Sequence, residues 1–121
     1  DRLCAHGLSA RTLVLPERRG QAVALLDELV DLARSEANLA FEYTLALPAS
    51  DPGLRLFCLW PLFSAVQTLR VLEHNPAVFE PAPVKITRDA LAYLMTSTKQ
   101  NVGSDAALRA LYQELQGRRA A

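Results

Sequence analysis

The sequence contains few of the residues from which β-sheets are built. It has one isoleucine and eight valines, whereas leucine and alanine together fill 41 of 121 positions. β-branched residues favour strands, while leucine and alanine are strong helix formers. Half of the residues are apolar, so the chain is able to bury a core. This composition predicts an all-α helical bundle.

An excess of charge is also missing, because 13 basic residues balance 13 acidic ones. Nucleic-acid-binding domains carry a basic surface, and polybasic segments bind anionic membranes. We therefore expect no nucleic-acid partner. The longest apolar run, residues 56–65, has about half of the roughly 20 residues that cross a bilayer. The chain is expected to be cytoplasmic, with peripheral contact as its closest approach to a membrane.

Cysteine is scarce as well. Cys4 and Cys58 lie 54 positions apart, and no Cys-x-x-Cys pair is present. This spacing favours neither structural zinc nor a disulfide scaffold, and it indicates a reducing compartment. Neither His6 nor His74 lies in the context of a catalytic triad.

Proline and glycine divide the chain into four predicted helices after a lead-in at residues 1–15. The helices are expected over residues 17–47, 52–74, 88–101 and 105–116. Asp51, Thr87 and Ser104 precede three of them and are expected to cap their N-termini. The segment Leu54–His74 is apolar on nearly all sides, which predicts the most buried helix of the bundle.

Two aspartates four residues apart, Asp27 and Asp31, lie on the first long helix. Such a pair offers the hard oxygen ligands that suit Mg²⁺. The alternative is a solvated helix face, in which Asp31 pairs with Arg34 one turn later. The chain has no second acidic cluster of this spacing, so we favour the solvated face.

Pro61 interrupts the most apolar helix and removes the donor for the Phe57 carbonyl. Two interpretations follow. The helix is either a kinked core element or the wall of an apolar cavity, and physical grounds alone favour the first. In the cavity, Phe57 would present a π-face that attracts a carbocation without offering a nucleophile. Cys58 acts as a small apolar side chain in both cases.

Lys85 and Arg88 bracket the start of the third predicted helix. Cations are unfavourable at a helix N-terminus, and a bound phosphate would explain their presence. An exposed basic pair is an equally acceptable interpretation.

The segment at residues 56–62, together with Thr68, Phe79 and the string at residues 84–88, resembles the C-terminal part of the squalene/phytoene synthase family. The order and spacing are more similar to the squalene branch. The resemblance implies an isoprenoid synthase fold that joins two farnesyl or similar diphosphates head to head, giving squalene or a related thirty- or forty-carbon product. By the same resemblance, Phe57 serves the carbocation rearrangement, and Cys58 and Pro61 adjoin it. Lys85 and Arg88 would then lie near the diphosphate or the nicotinamide cofactor.

The chain departs from the family in lacking both aspartate-rich motifs that hold Mg²⁺. We therefore expect it to form the C-terminal portion of such an enzyme. The isolated chain should be inactive and bind no cofactor alone, with Mg²⁺, and NADPH in the squalene branch, belonging to the complete enzyme. Its expected partner is a missing N-terminal half or a second copy, held through an exposed apolar face. The alternatives are a non-enzymatic helical interaction module and a subunit of a split enzyme.

Overall fold

Five α-helices joined by turns make up the fold. The computed structural model describes residues 1–117, which contain no β-strand. The helices are α1 (Arg2–Ala5), α2 (Arg19–Leu45), α3 (Pro52–Leu72), α4 (Arg88–Asn101) and α5 (Asp105–Leu115), and Pro16–Arg18 and Pro76–Phe79 each form a short 3₁₀ segment. The predicted all-α fold is confirmed.

The four predicted helices are present, with ends that differ by at most two residues. Helix α3 stops at Leu72, before the predicted end at residue 74, because Glu73 takes an extended conformation with a ψ of 131°, and His74 follows with a φ of +57°. The three predicted caps are confirmed. The side chains of Asp51, Thr87 and Ser104 each accept a hydrogen bond from the backbone N–H three residues later.

Helices α2 and α3 form an antiparallel hairpin. Arg34 in the middle of α2 bonds to Glu73 just beyond α3, whereas Leu45 at the end of α2 bonds to Arg55 near the start of α3. Helices α4 and α5 close the bundle over this hairpin. The main core contains Ala37, Phe41, Leu45, Leu59, Phe63, Val66, Leu94, Leu108, Leu111, Tyr112 and Leu115.

Arg55 connects the ends of three helices. Its side chain is only 2% exposed. Its guanidinium donates to the carbonyls of Leu45 and Leu47 at the end of α2, at 2.9–3.1 Å. It also donates to the Val102 carbonyl after α4 at 3.2 Å and to the Asp105 carboxylate at the start of α5 at 2.7 Å. One side chain thus satisfies carbonyls that lack helical donors.

The lead-in packs against α2 through a second, smaller cluster, in which Leu8 meets Ala22 and Leu25. Two basic side chains reinforce this contact, because Arg2 and His6 both bind the Glu28 carboxylate on α2. Apolar contacts and the bonds to Glu28 therefore both hold the lead-in against α2.

The prediction that α3 is the most buried helix is wrong. Its core face is closed, since Leu59 and Phe63 expose no surface. Its other face is open, and Phe57 there is 77% exposed. The remaining helices of the described chain close only one side of α3, and its second apolar face is only partly bordered, by Met95 of α4. No helix among residues 1–117 combines the length and apolar character needed to cross a bilayer.

Candidate functional site

An apolar groove lies between α3 and α4. Its volume is about 730 Å³, and its lining consists of Gly53, Leu56, Phe57, Trp60, Pro61 and Ser64 from α3 with Met95 from α4. The eleven residue steps from Gly53 to Ser64 span about 16 Å at the helical rise of about 1.5 Å. The groove is thus long and open, a shape that suits an extended hydrocarbon chain.

The periodicity of α3 places these side chains together. The lining residues recur at spacings of three and four, which is one side of a helix. Leu59 and Phe63 lie on the opposite side and face the core. Helix α3 therefore has two apolar faces with different roles, one for packing and one for the groove.

Trp60 connects α3 and α4, the two walls of the groove, through a hydrogen bond. Its indole Nε1–H donates to the Met95 carbonyl on α4 at 3.1 Å. The Ser64 hydroxyl donates to the Trp60 carbonyl at 2.8 Å, so it is satisfied within its own helix. The polar groups of these two side chains are thereby occupied, and the groove offers a bound molecule mainly apolar contacts.

The structure brings together two of the predicted site residues, Phe57 and Pro61. Both line the groove, and the Phe57 ring is largely exposed there. An exposed aromatic ring attracts a cation that approaches its face. Cys58 is half-buried and lies outside the lining.

The structure does not bring Lys85 or Arg88 into the groove. Both are exposed, and within residues 1–117 neither side chain forms a hydrogen bond or an ion pair. Arg88 begins α4 seven residues before Met95, which corresponds to about 10 Å along the helix. Phosphate binding by this pair stays a prediction.

The acidic pair on α2 differs from expectation. Asp27 is not merely solvated, because it accepts hydrogen bonds from the backbone N–H and the Nδ1 of His74 at 2.8 and 2.7 Å. Arg34 does not bridge to Asp31. Instead, two guanidinium N–H groups of Arg34 donate to the two carboxylate oxygens of Glu73, which lies just beyond the end of α3, at 2.6 and 2.7 Å. This arginine holds the pKa of Glu73 below its usual range.

The described residues do not fit the Mg²⁺ that the resemblance implies. Within residues 1–117, no group of three or more histidine, cysteine, aspartate or glutamate side chains is arranged to hold a metal ion. Both carboxylate oxygens of Asp27 are occupied by His74. No reaction step through a metal is therefore assigned to this part of the chain.

Sequence reasoning missed three residues of importance. Trp60 and Met95 shape the groove, and the four-residue spacing from Leu56 through Trp60 to Ser64 was the available signal for the first of them. Arg55 was passed over as one of the few charges of α3. An arginine near the start of an apolar helix, as Arg55 is, indicates a buried partner, since an unpaired buried charge is costly.

Comparison with protein families matches residues 1–90 to squalene/phytoene synthase. The match covers about three quarters of the chain and includes α2, α3 and the string at residues 84–88. Searches of curated proteins and of solved structures found no match.

Proposed function

The chain belongs to the squalene/phytoene synthase family, a family of transferase-type isoprenoid synthases, and from this premise we propose that it is the C-terminal portion of a head-to-head synthase. The complete enzyme joins two farnesyl or similar diphosphates into squalene or a related thirty- or forty-carbon product. The groove between α3 and α4 holds the hydrocarbon part of the substrate or intermediate. The observation that carries this proposal is the apolar groove with Phe57 exposed on its wall.

The chemistry of the groove supports a carbocation as the bound species. Phe57 supplies a π-face and no nucleophile, and its neighbours on the groove wall are mainly apolar. The Ser64 hydroxyl, which also lines the groove, donates its hydrogen to the Trp60 carbonyl. Phe57 is accordingly the proposed catalytic residue and Pro61 a wall residue. Cys58, Lys85 and Arg88 are proposed contacts to other parts of the substrate.

The proposal limits what the isolated chain does. Departure of diphosphate builds negative charge that fixed cations or metal must stabilise. Lys85 and Arg88 lie outside the groove, and the described residues present no acidic cluster for Mg²⁺. We propose that the isolated chain binds the hydrocarbon but releases no pyrophosphate from farnesyl diphosphate, with or without Mg²⁺ and NADPH. A pyrophosphate assay on the pure chain tests this.

Trp60 allows a direct test of binding, because it is the only tryptophan and lies in the groove. Titration with farnesyl diphosphate is expected to change its fluorescence in a saturable way. Phe57→Ser should weaken binding about tenfold, since loss of the ring contact removes ~1.4 kcal/mol of apolar burial. Tyr43→Ser is the matched control, because Tyr43 is similarly exposed but lies on α2 outside the groove.

Absence of saturation, or equal affinity of the two variants, would overturn the assignment of the groove. The coding sequence upstream of Asp1 separates the synthase from the interaction module. Two aspartate-rich motifs there, in frame or on a neighbouring gene, support the synthase. A start codon just before Asp1, with no such neighbour, supports the module.

A further inference from the structure

Helix α2 exposes a second apolar surface, separate from the groove. The surface consists of Leu29, Leu32, Leu39 and Tyr43, which we call the α2 stripe. These side chains are 42–70% exposed and recur at the spacing of one helix face. From Leu29 to Tyr43 the stripe spans about 21 Å at the helical rise. None of its members lines the groove.

The molecule exposes more surface than its mass predicts. The accessible area is 7517 Å². A compact monomer of 13.3 kDa exposes about 6,450 Å². The groove and the α2 stripe, the two open apolar surfaces of the described residues, both contribute to this area.

The chain itself covers the beginning of this face. Leu25 lies one turn before Leu29 on the same side of α2, yet it is only 6% exposed because Leu8 of the lead-in packs on it. The lead-in also brings two basic side chains, Arg2 and His6, against Glu28 beside the stripe. The segment that fits this face is thus apolar with basic flanks.

Glu36 is the counterpart of Glu28 in the part of the α2 stripe that the lead-in does not cover. It lies at the middle of the stripe, is exposed, and forms no hydrogen bond or ion pair within residues 1–117. Two copies of the chain that packed symmetrically and antiparallel along the stripe would bring their Glu36 carboxylates together. Like charges in such a contact are unfavourable. A basic side chain opposite Glu36 would instead repeat what Arg2 and His6 do at Glu28.

We infer that the α2 stripe binds an amphipathic helix that presents apolar side chains and a basic residue opposite Glu36. The apolar residues supply the affinity, and the charge selects the partner and its register. The inference concerns a different surface from the groove and does not depend on the proposed enzyme activity.

Two synthetic helical peptides test the inference. Both carry the same leucine stripe, one with a central lysine and the other with a central glutamate, and both are labelled for fluorescence anisotropy. The lysine peptide is expected to bind the chain about tenfold more tightly than the glutamate peptide. Glu36→Lys should reverse this preference. Glu17→Lys, an exposed change away from the stripe, should leave it unchanged, and Leu39→Ser should weaken both peptides.

Equal binding of the two peptides, or a preference that Glu36→Lys leaves unaltered, would overturn the inference. It would also fail if sedimentation equilibrium showed a dimer that Leu39→Ser dissociates, because a second copy would then occupy the stripe. Phe57→Ser provides the separation from the proposed function. That variant should bind farnesyl diphosphate about tenfold more weakly and keep the peptide preference.

Discussion

At the scale of single residues, Arg55 contributes most to holding the helices in place. Its burial would be unfavourable without partners, and its five hydrogen bonds supply them. Four of these bonds go to main-chain carbonyls that would otherwise be left without a donor. Removal of the side chain therefore costs more than the lost bonds, since the Leu45 carbonyl stays buried without a donor.

We expect Arg55→Met to lower the free energy of unfolding by about 3 kcal/mol, because it fills the space but leaves the acceptors unpaired. Urea denaturation followed by circular dichroism measures this. Arg109→Met is the matched control, since Arg109 pairs with Glu42 on the exposed surface, and such pairs contribute below about 1 kcal/mol. Similar losses of unfolding free energy in the two variants would show that the buried Arg55 contacts stabilise the fold no more than a surface ion pair does.

The Arg34–Glu73 pair makes stability depend on acid. The pKa of Glu73 is lower in the folded chain than its usual 4.5, chiefly through the hydrogen bonds from Arg34. The pair therefore stabilises the fold above about pH 4.5, and this contribution is lost as the pH falls through the folded pKa. Glu73→Gln should flatten the decline of unfolding free energy between pH 5 and about pH 2.5. Glu36→Gln should leave the decline as in the wild type, and an equal effect of the two would contradict the assignment.

At the scale of elements, α3 shows that apolar content does not reveal how many neighbours a helix has. Its two apolar faces contain side chains of the same kind, but one is closed by α2, α4 and α5 and the other forms the groove. Stability should respond to the two faces very differently.

Leu59→Ala should lower the free energy of unfolding by about 3 kcal/mol, because it leaves a cavity in a closed core. Phe57→Ala, only two positions away, should change it by less than about 0.5 kcal/mol, because the ring is mostly in solvent. Chemical denaturation of both variants tests this contrast. A large loss for Phe57→Ala would mean that this ring belongs to the core and not to the groove.

The helices and their caps could be predicted because their causes are local. Asp51 caps a backbone N–H three residues away, so adjacent sequence is sufficient. The position of Lys85 relative to Phe57 depends instead on the path of the turn from His74 onward. His74 takes a left-handed conformation that Asp27 stabilises from 47 positions away, and no local pattern encodes that contact.

At the scale of the whole molecule, the described chain has a closed core and two open apolar surfaces, the groove and the α2 stripe. Patches of this kind mark binding sites in soluble proteins. We propose a hydrocarbon as the occupant of the groove and an amphipathic helix as the occupant of the stripe.

We expect the natively folded chain to bind the apolar dye ANS, because both surfaces are open to solvent. Phe57→Ser and Leu39→Ser should each reduce the fluorescence enhancement, and the double variant should reduce it further, since the two surfaces share no residue. Dye titration at constant helical circular dichroism measures this. A folded monomer without enhancement would contradict the exposure of both surfaces.

The contacts of Arg55 also have a consequence for the order in which the fold is completed on the ribosome. Its acceptors at Leu45 and Leu47 are translated before it, whereas Val102 and Asp105 follow about fifty residues later. When the α2–α3 hairpin forms, the guanidinium of Arg55 can therefore donate to the carbonyls at the end of α2. Its remaining N–H groups still donate to water. Synthesis of α4 and α5 closes that edge and buries the charge. A nascent chain halted near residue 90 would leave this arginine hydrated. The α2–α3 hairpin is expected to gain its full stability only when Val102 and Asp105 bind the guanidinium.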